Sequence, residues 1–416
     1  MTNLLVFAAP LTAGLVLVLV GQWRGWAPSL PVAVGTGVVL RVAVLLLAWR
    51  FNVHPYDFSV DFPTAADNVL HGRDPVLTAR EGGWHFLPLS AYVLAGQLRL
   101  GQVLGIGWAV IGRLVPIFAD LALIPLVGKL ARGRSPALRA FQWAANPLAI
   151  MVCAVHGQLE PIALAFGVGA LVVARSAYAR RAVAAGILVG LAITVNSWPA
   201  LLVPGVLLAL PGTRRRLTAL LWAGAVPLVF FVTQPLVLGH APSGELIAVA
   251  RALAKTRPVV GDWGWTAIAE GGTQTVDPAL GTIGTGVLLA GLALAVWWWR
   301  RADALTLTAV ILLAFLICTH RLGAQYLLWP LPYLLARPAR GTWPAFTAAC
   351  MWAAIGYLWL GTTATYDVWW MRHEVWALLS LAVIPLLVWA LPWSRRTAAP
   401  PVERSGRAEP AVACST

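Results

Sequence analysis

The sequence predicts an all-α fold, a polytopic bundle of membrane-spanning helices. Hydrophobic residues make up 59% of the 416 residues and charged residues only 11%, and the mean hydropathy is +0.77. A water-soluble fold of this length could not bury so much apolar surface. Apolar runs long enough to cross about 30 Å of hydrocarbon recur along the chain. In lipid such runs form helices, because the backbone finds hydrogen-bond partners only within its own segment.

The apolar runs give about thirteen candidate spans within one transmembrane domain, which we predict over 1–395. They cover 4–20, 30–49, 107–130, 138–155, 159–174, 182–195, 200–210, 217–238, 280–299, 302–319, 322–336, 343–360 and 375–391. Those at 182–195 and 200–210 fall below the roughly 17 residues that a spanning helix needs. The first run lacks the basic start and cleavage pattern of a signal peptide, so we expect it to be retained. The tail 396–416 has no periodicity and is predicted to be disordered and cytoplasmic.

Basic residues give the predicted topology of the loops. The net charge is +14, and arginines recur after alternate spans, as at 214–216, 300–301 and 395–396. This spacing follows the positive-inside rule and indicates cytoplasmic loops, whereas a nucleic-acid-binding protein would gather its charge on one face. The outer side then holds the long loops 50–106 and 239–279, all seven histidines and most carboxylates. We therefore expect the chemistry on the extracytoplasmic face.

The first outer loop contains an unusual cluster of carboxylates. Asp57, Asp61, Asp67 and Asp74 fall within "HPYDFSVDFPTAADNVLHGRDP", at 54–75, although the chain has only 16 acidic residues. Asp57 and Asp61 are four residues apart and would share one face of a helix. Such a pair could serve as a general base and a neighbour that shifts its pKa. The alternative is a solvated loop whose aspartates cap helices, which we expect of Asp67 and Asp74.

The same loop carries an apolar stretch at 84–105. Its polar Gln97, Arg99 and Gln102 favour a helix that lies in the membrane interface over a span. A partly buried re-entrant helix is an equal alternative.

Two further outer turns carry polar groups. In "NPLAIMVCAVHGQLEP", His156, Gln158 and Glu160 join two spans, and a hairpin needs only one such residue to make a polar turn. In "AITVNSWPALLVP", Asn196 precedes Trp198 at another outer turn. We expect these side chains to contribute to a site on the outer surface.

Two more segments complete the candidate site. "THRLGAQYLLWPLP" holds His320, Arg321, Gln325 and Tyr326. An arginine on the outer side favours an anionic partner such as a lipid phosphate. Asp262 lies in the second long outer loop beside tryptophans that could stack on a sugar or anchor at the interface.

These motifs resemble those of the membrane-embedded glycosyltransferases of the C superfamily (GT-C), and most closely the bacterial family-87 mannosyltransferases. More distantly they resemble the mannosyltransferase that builds GPI anchors. The usual first-loop form is an aspartate before an aromatic residue, then Ala-Ala, then Gly-x-x-Pro. This chain fills those places with Asp57 and Phe58, Ala65 and Ala66, and Gly72 to Pro75. The stretches "NPLAI" to "HGQLEP" and "QYLLWPLP" extend the resemblance over most spans.

The resemblance implies an inverting transferase in the bacterial cytoplasmic membrane. It would move a hexose, mannose in this family, from a polyprenyl-phosphate donor to a lipid or glycan acceptor outside the cytoplasm. No nucleotide site is then needed, which agrees with the lack of a P-loop or a strand followed by GxGxxG. No cofactor is expected beyond the lipid-linked donor, and a divalent metal ion stays open.

The resemblance also assigns roles to residues. Asp57 would be the general base, with Asp61 as a rival because the spacing from Asp57 to Ala65 is one residue longer than usual. The predicted substrate contacts are His156, Gln158 and Glu160 for the sugar or acceptor, Arg321, Gln325 and Tyr326 for the donor phosphate, His320 as a second phosphate ligand, and Asp262 and Asn196.

One departure keeps other functions open. Asn196 stands where related sequences usually carry a lysine suited to a phosphate, which puts the donor site in doubt. A catalytically inactive relative that acts as a scaffold is therefore one alternative. A glycolipid transporter or flippase is another, although only Arg41, Arg113 and Asp120 are charged residues away from the ends of the predicted spans, fewer than a transport path usually shows.

Overall fold

A computed structural model describes residues 2–79, 84, 86–131, 135–255, 259–361 and 365–393. Over this part of the chain the fold is helical, and the sole β pairing is an isolated bridge between Val260 and Thr275. The predicted all-α class is therefore confirmed. The predicted disordered tail at 396–416 lies outside the described residues.

The α-helices are numbered in chain order. They are α1 Thr2–Arg24, α2 Leu30–Arg50, α3 Phe62–Leu70, α4 Pro75–Thr78, α5 Pro88–Leu104, α6 Trp108–Leu130, α7 Pro136–Ala144, α8 Pro147–Ile150, α9 Glu160–Ala174, α10 Arg181–Val195, α11 Val203–Ala209, α12 Thr213–Val237, α13 Pro242–Lys255, α14 Gly264–Ala269, α15 Pro278–Trp298, α16 Ala304–Cys318, α17 Leu331–Ala336, α18 Thr342–Ala354 and α19 Tyr366–Trp389. Shorter π-helical turns form at Asp57–Asp61, Met151–His156 and Ile355–Leu360, and 3₁₀ turns at Trp198–Leu202 and Ala324–Leu328.

Seven of the described helices are long and apolar enough to cross a membrane, so the chain is a helical membrane protein. An eighth span forms if the pair Pro136–Ala144 and Pro147–His156, bent by 42°, counts as one. Four of the other predicted spans are apolar helices of 10–17 residues, and 322–336 divides into a 3₁₀ turn and α17. The prediction of about thirteen crossings is therefore not confirmed.

The helix predicted near 84–105 forms as α5. Its buried side contacts α3, α6 and α10, and Ser90 donates a hydrogen bond to the Val195 carbonyl. The first outer loop is thus packed against the bundle.

The charged residues inside long helices are paired with one another or with the backbone. Arg41 of α2 forms an ion pair with Asp120 of α6, and both side chains are fully buried. Arg41 also donates to the carbonyl oxygens of Gly37, at 3.1 Å, and Ala144, at 2.7 Å. Buried charges require such partners, because desolvation of a lone charge is costly. The pair joins α2, α6 and α7.

A sharp break between α7 and α8 changes the direction of the chain before the turn that carries His156. Asn146 caps α8, its side-chain oxygen accepting from the N–H groups of Leu148 and Ala149. Pro147 occupies the first helical position, where its missing N–H costs nothing. The helix then continues into the π turn Met151–His156, which ends at Gly157.

Candidate active site around Asp57

The site begins where the first outer loop leaves α2. Asp57 opens the π-helical turn Asp57–Asp61, a conformation often found at functional sites. Phe58 points inward and is 1% exposed, while its N–H donates to Asp57 Oδ1 at 2.9 Å. The backbone therefore fixes one side of the carboxylate.

Two side chains of the α8–α9 hairpin hold the rest of the Asp57 carboxylate. His156 Nε2 lies 2.8 Å from both carboxylate oxygens, and Gln158 Nε2 donates to Oδ2 at 2.6 Å. The Asp57 side chain is still 33% exposed, against 7% for His156. A carboxylate oriented by three donors thus remains open to a ligand.

A third segment orients His156. The Tyr357 hydroxyl, in the π turn Ile355–Leu360, lies 2.9 Å from His156 Nδ1. In both forms of the ring Nε2–H donates to Asp57, while Nδ1–H donates to the Tyr357 oxygen in the charged imidazolium and Nδ1 accepts from the Tyr357 O–H in the neutral imidazole. Both ring nitrogens of His156 are then occupied, so Asp57 is the group with lone pairs available to a substrate.

Gly157 lets the two loops approach. It ends the hairpin's π turn with φ of 75°, a left-handed conformation that glycine adopts without strain. A Cβ at this position would lie 2.5 Å from the Phe58 ring. Residue 157 therefore has to be glycine for His156 to reach Asp57.

Arg113 of α6 hydrogen-bonds to the backbone of the same two loops. Its side chain is fully buried and donates to the carbonyl oxygens of Val155, at 2.6 and 3.1 Å, and Val53, at 3.1 Å. Its guanidinium carbon lies 4.0 Å from the Phe58 ring centroid. It also contacts His54 Nδ1 at 3.0 Å. Burial, followed by the Arg113 charge, lowers the pKa of His54, so His54 stays neutral and can accept this hydrogen bond.

Trp108 completes the support of Phe58. Its ring stacks on Phe58 with centroids 5.7 Å apart, and its indole N–H donates to the Phe58 carbonyl at 2.7 Å. Sequence reasoning did not assign Trp108, Arg113 or Tyr357 to the site. Of these three residues only Arg113 gave a signal in the sequence, because a charged residue within a span usually has a functional or structural role.

The electrostatics keep Asp57 ionised. Burial by itself raises the pKa of the carboxyl, but the His156 charge and the hydrogen bonds from His156 and the Phe58 N–H lower it by more. The net pKa of Asp57 lies below its ordinary value. The group is therefore a carboxylate at neutral pH.

Glu160 lies beside this group at the first turn of α9. Its side chain is 1% exposed, and its Oε2 accepts no hydrogen bond from the residues that the structure describes. Glu160 and Asp57 both interact electrostatically with the hydroxyls of Tyr326 and Tyr357. Glu160 thus joins Asp57 in one site, with a free acceptor oxygen.

Tyr326 and Arg321 flank the same site. The charges of Arg321, Glu160 and Asp57 all act on Tyr326. Arg321 is half-buried, and its side chain has no hydrogen bond or ion pair within the described ranges. Gln325 is also half-buried and lies next to Tyr326. Of the predicted phosphate ligands, Arg321 and Tyr326 of the α16–α17 connection therefore lie within electrostatic reach of the Asp57 group.

Asn196 reaches the site only indirectly. Trp198 stacks on Trp329 at 4.2 Å, and Trp329 stacks on Tyr326 at 4.3 Å. Asn196 is half-buried at the end of α10. An uncharged amide thus stands two residues from this aromatic stack.

Asp262 and His320 belong to a second group of residues. Asp262 lies 3.2 Å from His373 Nε2 and accepts from Gln274 at 3.2 Å. The His320 carbonyl accepts from Thr266 at 3.2 Å, and its ring packs against Gly284. Burial, together with the Arg321 charge, lowers the pKa of His320, so its imidazole is uncharged at neutral pH. In the described part of the chain neither residue hydrogen-bonds to Asp57.

The other aspartates of the first loop take separate roles. Asp61 lines a neighbouring cavity. Asp74 caps α4 as predicted and also accepts from Gln234 of α12. Asp67 was wrongly predicted to be a cap, because it is a surface residue that pairs with Arg73 at 3.0 Å and with His71 at 3.3 Å.

Comparisons with known proteins add no identification. Neither models of protein families nor curated proteins match this chain. Within the described ranges, no three His, Cys, Asp or Glu side chains converge as metal ligands. The function must therefore be argued from the geometry of the site.

Proposed function

We propose that this chain is a membrane-embedded glycosyltransferase of the C-superfamily type. It transfers a hexose, mannose by the resemblance, from a polyprenyl-phosphate donor to a hydroxyl of a lipid or glycan acceptor on the extracytoplasmic face. The observation that carries the proposal is the Asp57 carboxylate. Three donors orient it, yet a third of its side chain stays exposed.

The reaction requires one base and no nucleotide. The acceptor oxygen attacks the anomeric carbon and gives its proton to Asp57, while the bond from that carbon to the donor phosphate oxygen breaks with inversion. A positioned base of this kind contributes about 10²–10⁴ in rate. His156 and Gln158 then act as positioning residues for Asp57, a change from the substrate contacts expected of them. Glu160, with its free oxygen, is suited to bind a sugar hydroxyl.

The leaving polyprenyl phosphate needs positive charge. Arg321 is suited to this role because its half-buried guanidinium has no protein partner in the described residues and acts on Tyr326 next to Asp57. Charge-assisted hydrogen bonds to phosphate are about twice as strong as neutral ones. Arg321 offsets the absence of a lysine at Asn196.

Transport has less support than transfer. The buried charges of α2 and α6 are occupied, Arg41 by Asp120 and Arg113 by backbone carbonyls. Intramembrane charges that line a route would face a cavity instead. No contact among the described residues favours a glycolipid path.

The test is transfer of labelled mannose from polyprenyl-phosphate-mannose to membrane lipid extract by the purified protein. Wild type should transfer, and the product should have the inverted anomeric configuration by NMR. Asp67→Asn is the matched control, since Asp67 lies on the next helix with only exposed partners. Absence of transfer by folded wild type across several donors and acceptors would favour the inactive scaffold or the transporter.

A further inference from the structure

A cavity of about 190 Å³ opens beside the candidate active site. Its wall is one face of the helix that starts at Tyr56 and runs through α3, closed by α4, Ala79 and Trp84. The lining residues are Tyr56, Val60, Asp61, Thr64, Ala65, Asn68, Pro75, Thr78, Ala79 and Trp84. The volume is about six times the ~30 Å³ that one water occupies. It therefore suits a ligand of the size of one sugar ring.

The lining combines a few polar groups with aromatic and apolar surface. Asp61, Asn68 and Thr64 supply carboxylate, amide and hydroxyl groups on successive turns of the helix. Ligand sites typically have this composition, with few polar groups set in apolar walls. Asp61 and Thr64, one turn apart, suit neighbouring sugar hydroxyls, and Asn68, one turn further along, suits another, because hydroxyls both donate and accept.

Trp84 makes the inner wall rigid. It is 4% exposed and packs edge-on against Phe62, with centroids 6.3 Å apart, and against Phe86 at 5.0 Å. At the rim, the Tyr56 ring is 53% exposed. Aromatic rings at the wall and rim can pack against the C–H faces of a sugar.

The cavity is next to the proposed base. Tyr56 directly precedes Asp57, and Asp61 follows Asp57 by four residues, about one helical turn. A ring bound against Asp61 would place its neighbouring hydroxyl within reach of the Asp57 side of the helix. We infer that the cavity is the subsite for a sugar ring of the acceptor, with Asp61 and Asn68 as its hydroxyl ligands. This inference rests on the proposed glycosyl transfer.

The test measures sugar binding without turnover. Asp57→Asn protein in nanodiscs is titrated with methyl α-mannoside and with octyl α-mannoside, followed by saturation-transfer NMR. Adding Asp61→Asn should weaken binding of both probes about tenfold, from the loss of a charged hydrogen-bond partner. Thr64→Trp, at an exposed wall position, should fill the cavity and abolish binding. Asp67→Asn is the matched control and should leave binding unchanged.

Turnover supplies a second readout. In otherwise wild-type protein, Asp61→Asn should raise KM for the acceptor about tenfold and leave KM for the donor unchanged. Each variant is checked for folding by its thermal unfolding midpoint.

The outcomes separate the two proposals. If the folded Asp61→Asn and Thr64→Trp proteins bind both probes as tightly as the protein without these changes, the subsite is overturned, even if the wild type transfers sugar. Binding of the octyl probe alone, unaffected by these changes, would also overturn it and indicate a lipid-chain site. If Asp61→Asn and Thr64→Trp weaken sugar binding but the wild type transfers no sugar, the sugar site is supported and the proposed transfer is overturned.

Discussion

Two of the aspartate–histidine pairs in the described part of the chain contain a buried histidine, and they differ in the exposure of the aspartate. In the first, the Asp57 side chain is 33% exposed beside a buried His156. In the second, Asp262 is 10% and His373 4% exposed. The same two residue types thus form an open pair and a closed pair. We therefore expect accessibility, and not pairing itself, to distinguish the proposed catalytic carboxylate.

The closed pair fastens a loop. His373 of α19 is surrounded by the rings of Trp369, Trp370 and Trp376. Gly272, in the same loop as Asp262, would place a Cβ 2.5 Å from the Glu374 carbonyl oxygen. Such close backbone contact binds the second outer loop to α19. These contacts favour a structural role for Asp262, and its substrate contact stays a prediction.

The largest expected effect is on the open pair. Asp57→Asn keeps the size of the side chain and removes the base, so transfer should fall by about 10²–10⁴. The thermal midpoint should change little, because the exposed amide can still accept from Gln158. A folded variant with full activity would move the base to Asp61 or end the enzyme proposal.

The approach of the two loops depends on Gly157. Gly157→Ala adds a methyl 2.5 Å from Phe58 at a left-handed residue. Strain of about 1 kcal/mol and overpacking of about 1–3 kcal/mol should lower stability and, by moving His156, activity. Gly105→Ala is the control, since Gly105 has a similar φ of 68° and open space around it. Equal effects of both changes would show that close approach does not matter.

A change in the closed pair should lower stability and leave the transfer rate nearly unchanged, the opposite of a change in the open pair. Asp262→Asn disturbs a buried partner of His373 and should cost about 2 kcal/mol of stability, measured by thermal unfolding. The transfer rate at a temperature where the variant is folded should stay within about threefold of wild type, an effect under ~1 kcal/mol. A large loss of rate in folded protein would return Asp262 to the substrate site.

Tyr357 should have a smaller effect. Tyr357→Phe removes one hydrogen bond to His156, worth about 1 kcal/mol, and frees the imidazole to rotate. We expect a fall in kcat of about tenfold with acceptor KM unchanged. A change in KM alone would instead indicate a substrate contact.

The pH profile should report the Asp57 environment. Because the pKa of Asp57 is lowered in the folded protein, its hydrogen bonds stabilise the fold fully above the unfolded pKa, near 3.8, and that contribution is lost as pH falls through the lower folded value. The acidic limb of transfer should therefore lie below pH 3.8. His156→Gln removes the main lowering charge and should move this limb upward. An unmoved limb would mean that His156 does not tune the base.

The sequence predicted the members of this site better than their partners. Asp57, His156, Gln158 and Glu160 were expected at the outer ends of spans, where a polar side chain in an apolar chain is conspicuous. The bond between His156 and Tyr357 joins residues 201 apart, and a tyrosine within an apolar run gives no such signal.

The sequence also did not show in which direction the Asp57 side chain points. The spacing of Asp57 and Asp61 fixes their backbone positions, but His156, 99 residues from Asp57, determines which way the Asp57 carboxylate turns. Helix lengths were also difficult to predict. Hydropathy located each apolar run, but it did not show the breaks at Asn146 or before α11, which tertiary packing requires. The fold class followed from composition, and the span count did not.

The most direct test is a side-by-side measurement of single-turnover mannose transfer by wild type, Asp57→Asn and Asp262→Asn in the same nanodiscs. We expect loss of transfer by about two orders of magnitude or more in Asp57→Asn and a near-normal rate in folded Asp262→Asn. Equal rates in Asp57→Asn and wild type, or loss only in Asp262→Asn, would contradict the claim that the open pair carries the chemistry.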